Sequence, residues 1–152
     1  MPSTDLDARQ QLLDELAQAG DELAIALSSL GEAYEGLDEQ QADRLELELF
    51  RPLRRAYGRA QRAHADFAMR HGLPAHEFAV APAGAPAIGV KGFIEAAVEA
   101  VDRADAQLVG LQDSMMPIEF GDADLRAGIS EVRQLIEGVA HNARSLLRTF
   151  GR

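Results

Sequence analysis

The chain contains no cysteine, which excludes disulfides, thiolate nucleophiles and zinc–thiolate sites together. It has no tryptophan, and aromatics make up only 5% of it, so a core must be built from Leu, Ile, Val and Ala. Those side chains suit close helix packing. Lysine occurs once, at Lys91, and every other base is arginine. No apolar run approaches the roughly 20 residues needed to span a bilayer. The opening Met-Pro-Ser-Thr-Asp lacks the basic and apolar regions of a signal peptide. The expectation is a cytoplasmic protein with no membrane partner. Positive charge is also scarce: the formal net charge is −10, which argues against nucleic acid as a partner, because phosphate attraction needs a basic face.

The composition that remains is that of a folded protein. Hydrophobic residues are 47% and charged residues 26%, ordinary values that exclude wholesale disorder. Residues 1–152 read as a single domain, long enough to bury a proper core.

The most regular stretch is Leu13, Leu16, Gly20, Leu23, Leu27, Leu30, Tyr34 and Leu37, spaced alternately by three and four. That is a heptad seam, and it wants helical partners. A first helix is predicted over about 4–35, with Gly36 as its stop. A second is predicted over 38–71, with Asp38 as N-cap, Gln41 as a capping-box partner and Gly72-Leu73-Pro74 as its end. Its seam runs Ala42, Leu45, Leu49, Leu53, Ala56, Ala60, Ala63, Phe67, with two successive steps of four at Pro52. A stutter and an interior proline at one place predict a bend there.

Residues 74–90 hold three prolines and two glycines and are apolar where a free linker would be polar. Fully extended they reach roughly 55 Å, longer than a third helix of roughly 37 Å. Helices over about 92–115 and 122–150 complete the chain, the last capped by Asp122. The predicted fold is therefore all-α: a four-helix bundle with a heptad-patterned core. Two antiparallel hairpins are joined by a long Pro/Ala/Gly crossover loop, with helix two bent at Pro52.

Chemistry is harder to find. A di-iron bundle needs Glu-x-x-His on two helices. The nearest approach here is Gln61-x-x-His64, and Glu137 and His141 are four apart. No metal site and no cofactor are expected. His64, His71, His76 and His141 read as surface or flanking histidines, with His64 and His71 a solvated pair on one face. No catalytic residue emerges: there is no nucleophile context, no Gly-rich phosphate loop and no carboxylate pair fixed by spacing.

Arg51, Arg55, Arg59 and Arg62 form a stripe on one helical face, the candidate ligand-binding residues for a small anion. The plainer role for that stripe is pairing with Asp14, Glu15, Asp21 and Glu22 across an antiparallel hairpin. Phe78, Val80 and Ile88 in the loop, with Met115, Met116 and Phe120 at the third turn, are candidate partner-binding residues, since Met-rich surfaces adapt to partners. The expected function is a non-enzymatic helical bundle acting through protein–protein contacts. A second copy of the chain is one candidate partner, suggested by Leu47, Phe50 and Tyr57 off the main seam. The alternative is small anionic ligand or metal binding by a ferritin-like bundle.

Overall fold

The computed structural model describes residues 2–83 and 89–150. It is all-helical, with no strand among the described residues. The elements are α1 (Pro2–Glu35), α2 (Glu39–Leu45), a π-helical turn (Glu46–Phe50), α3 (Arg51–Arg70), α4 (Gly89–Asp113), α5 (Met116–Glu119) and α6 (Ala123–Phe150). No helix among the described residues is long and apolar enough to cross a membrane.

Local chemistry sets the ends. Asp38 accepts the Gln41 amide at 2.8 Å and starts α2. Gly72, at φ 65°, ends α3, with the Leu73 amide returning to Ala68 O at 2.8 Å and the Gly72 amide to Met69 O. This is a Schellman closure, which the left-handed glycine makes cheap. Asp122 Oδ1 accepts the Leu125 amide at 2.9 Å and starts α6.

Where the sequence points to a bend at Pro52, the structure has one π-helical turn immediately before it. Backbone angles stay helical on both sides, at Glu46 (φ −58°, ψ −50°) and Arg51 (φ −62°, ψ −51°). Pro52 has no N–H to give to Glu48 O, four residues back. Asn142 Nδ2, from α6, donates to that carbonyl instead at 3.0 Å. Asn142→Ala is therefore expected to remove this tie between α6 and the π-helical turn and to cost about 1 kcal/mol in urea unfolding.

Cross-helix contacts fix the directions. Along α1 and α3, Tyr34 meets Phe50 and Leu13 meets His64. Along α3 and α6, Arg59 pairs with Glu131 and Arg70 with Asp122. Along α4 and α6, Asp105 pairs with Arg133 and Asp102 with Arg144. Along α1 and α4, Gly36 lies against Val90 and Glu22 pairs with Arg103. Each pair runs in opposite directions, so α3 and α4 both run opposite to α1. Among the described residues the backbone of α1 does not come close to that of α6, nor that of α3 to that of α4.

The tightest pairing is α1 on α4. Its reason lies in a second buried stripe on α1: Leu12, Ala19, Ala26 and Ala33, spaced by seven. Three of the four are alanine, and α4 answers with Ala97, Ala100 and Ala104. Small side chains on both sides let the backbones approach. The α1 seam is less uniform than its spacing suggests. Leu13, Leu16, Leu23 and Leu30 are buried, Leu27 and Leu37 half-buried, and Tyr34 exposed.

Candidate functional site

The segment after α3 is a strap laid back over the α1–α3 face. Phe78 drops its ring into the space above Gly20, where a Cβ would stand 2.5 Å from Cε1. Any residue larger than glycine at position 20 would displace that ring. The Phe78 ring meets His64 edge-on at 5.6 Å and Tyr57 edge-on at 6.0 Å between centroids. His76 packs on the same ring at 4.6 Å, and its Nε2 is 3.0 Å from Asp21 Oδ1. Farther along the strap, Ser28 Oγ donates to Ala81 O.

His64 is the chemical centre of this cluster. It is 2% exposed, its Nδ1 has no hydrogen-bond partner, and the ring lies against the Leu13 backbone. Burial pushes its pKa below the ordinary histidine value. The neighbouring His76 pushes the same way, against the opposing pull of Asp14 and Asp21. Tyr57 is pushed upward by burial and then by Asp21, as expected in the same dry, acidic surroundings. Burial therefore favours the neutral imidazole.

This corrects the surface reading of the histidines. His64 is enclosed, and His71 does not share a solvated face with it. His71 Nε2 lies 3.2 Å from Asp122 Oδ2, and the His71 ring packs on Phe67 at 4.3 Å. His76 is held by Asp21, while His141 is exposed. Sequence spacing missed His64 because it sits one residue past the seam position Ala63 and is roofed by a strap fourteen residues away. The Gly20 gap in an otherwise leucine-rich seam was the one available signal. Among the described residues no group of three His, Asp or Glu is arranged to hold a metal ion.

The arginine stripe is divided. Arg59 pairs with Glu131 on α6 at 2.7 Å, crossing over Gly128, where a Cβ would crowd both the guanidinium and Ala63. Its partner is thus on α6, whereas spacing pointed to α1. Of the α1 acids, Asp21 is engaged with His76 and Glu22 with Arg103. Arg51, Arg55 and Arg62 are exposed. The groove beside the stripe, about 320 Å³, holds Arg59 and Arg70 but also Asp66, Asp124 and Glu131. Acids outnumber bases in it, so it does not concentrate positive charge for an anion.

Of the apolar candidates, Phe78 is spent on the intramolecular contact and Val80 is 96% exposed. Ile88 lies outside the described residues. At the α4–α6 turn, Pro117 is buried and Met116 and Phe120 half-buried, closing the end of the core, while Met115 and Ile118 are exposed. Met115 adopts φ 66°, a left-handed conformation that costs a methionine energy. Beside Ile118 is an apolar recess of about 200 Å³, lined in part by Pro117, Arg126 and Ile129. The chain matches no known protein family, no curated protein and no solved structure.

Proposed function

We propose that the chain is a four-helix bundle of crossover topology, a cytoplasmic, non-enzymatic protein that acts through protein contacts. The antiparallel pairings of α1 with α3 and α4 and of α6 with α3 and α4, which leave α3 and α4 running the same way, support that topology. The observation that carries the functional reading is the turn at α5. Ile118 is 58% exposed and borders an apolar recess, and Met115, three residues before it in the chain, is 48% exposed in a left-handed conformation. A patch with a protruding apolar side chain and an apolar hollow is self-complementary, which is what a two-fold interface requires. A second copy of the chain is the partner that fits it. The Leu47, Phe50 and Tyr57 face supports a dimer less well, since Phe50 packs on Tyr34 and Tyr57 on Phe78.

Native mass spectrometry and sedimentation of the purified protein test this reading. A bare mass of twice the chain is expected, reverting to the monomer in Ile118→Asp. A monomer at high concentration overturns the dimer. An added mass that disappears on denaturation turns the reading toward a bound ligand.

A further inference from the structure

We infer that the strap over α1 and α3 is an acid-released latch, held shut while His64 is neutral. This goes beyond the proposed partner contacts and does not depend on them.

Among the described residues, the contacts that hold the strap include the Phe78 ring above Gly20, the His76–Asp21 bond and the Ser28–Ala81 bond. The first is central, because Phe78 forms the roof of His64 and leaves that residue 2% exposed. With the strap closed, an imidazolium would carry a proton on Nδ1, which is buried with no acceptor in reach. An imidazolium there would be both dry and unpaired, a costly combination. With the strap open, the same nitrogen meets water. Protonation is therefore worth more to the open state.

The charged and titratable groups facing His64 are Asp14 and Asp21 from α1 and His76 from the strap, with Tyr57 on its own helix. The two aspartates favour the imidazolium but bond neither ring nitrogen. A protonated His76 binds Asp21 more firmly, which resists release, yet it also repels a charged His64. The pair is half-exposed, so its resistance is weak.

The sign follows from linkage. The closed strap depresses the His64 pKa below 6.5, so its stabilising contribution is complete above that value and is lost as the pH falls beneath it. Each unit between the closed and open pKa values changes the open-to-closed ratio about tenfold at low pH.

The absence of cysteine makes a clean test available. Val80→Cys carries a spin label at a position that is 96% exposed. Between about pH 8 and about pH 5, across the histidine range, the label should pass from restricted to mobile while far-ultraviolet circular dichroism holds constant. No change in mobility overturns the latch. In a His64→Leu background the step should vanish, and its persistence would assign it to another group and overturn the role of His64. Gly20→Ala should expel Phe78 and give a mobile label at both pH values with helicity retained. A rigid label there overturns the wedge. Should His64→Leu fail to fold, the imidazole titration followed by nuclear magnetic resonance still decides. The His64 pKa should lie below 6.5 in the native chain and return to it in Gly20→Ala, and equal values in both would overturn the proposal.

Discussion

Phe67→Ala is expected to cost about 3–5 kcal/mol in urea unfolding at neutral pH, the range for deleting a buried aromatic ring. Phe67 is fully buried and is among the largest side chains in the core. The His71 ring lies 4.3 Å from it and the Arg70 guanidinium 5.9 Å away. Both of those residues are tied to Asp122. The wall around the ring is thus anchored at α6 and cannot readily close into the vacated space, which places the cost toward the upper part of the range. Phe67→Leu retains most of the volume and should cost about 1.5 kcal/mol or less. Single domains are stable by only about 5–15 kcal/mol, so the alanine variant should be visibly less stable to heat as well. A loss below about 1 kcal/mol would mean that the end of the core collapses freely.

The parts that spacing reveals are those where burial repeats along one chain. Leu45, Leu49, Leu53, Ala56 and Ala60 in helix two, and Leu125, Ile129, Val132 and Ile136 in α6, fall at steps of three and four, and all are buried. The caps at Asp38, Gly72 and Asp122 are equally local, because each is one residue acting on its neighbours. What periodicity could not reveal depends on a third element. α1 buries Leu12, Ala19, Ala26 and Ala33 because it lies between two helices and needs two faces, while a single seam describes only one. His64 is buried by Phe78, and Glu48 O is satisfied by Asn142, ninety-four residues away. Phe78 stood out as an apolar residue in a loop, but its seat above Gly20 follows only from the path of the strap. The arginine stripe was visible as a face, and its assignment to α1 failed because α3 presents Arg59 to α6.

Asp122→Ala is expected to lose about 2–3 kcal/mol at neutral pH, with a pH signature that separates its two contributions. Asp122 caps α6 through the Leu125 amide, and a lost cap costs about 1 kcal/mol. It also takes two bonds from Arg70, Nε at 2.8 Å and Nη2 at 2.9 Å, and one contact from His71. Burial alone would raise its carboxyl. The bonds from Arg70, the Leu125 amide and His71, with the Arg70 charge, more than reverse that and hold it at about 2 against an ordinary 3.8. A fall of that size, discounted for the solvent that still reaches the pair, amounts to about 1–2 kcal/mol. The carboxyl is depressed, so this contribution is complete above pH 3.8 and disappears as the pH drops toward about 2. Asp122→Asn keeps a good cap and loses the charge. Its deficit against the native chain should therefore be about 1–2 kcal/mol at neutral pH and should shrink as the carboxyl protonates. The Asp122→Ala deficit should shrink only to the remaining cap. Urea unfolding of the three proteins at a series of pH values reads both curves. If the native–Asn gap stays constant down to about pH 2, the charge of Asp122 is not what joins α3 to α6. Because His71 touches both Phe67 and Asp122, the double variant Phe67→Ala, Asp122→Ala should lose less than the two single losses combined. The ring deletion already loosens the histidine that the carboxylate holds.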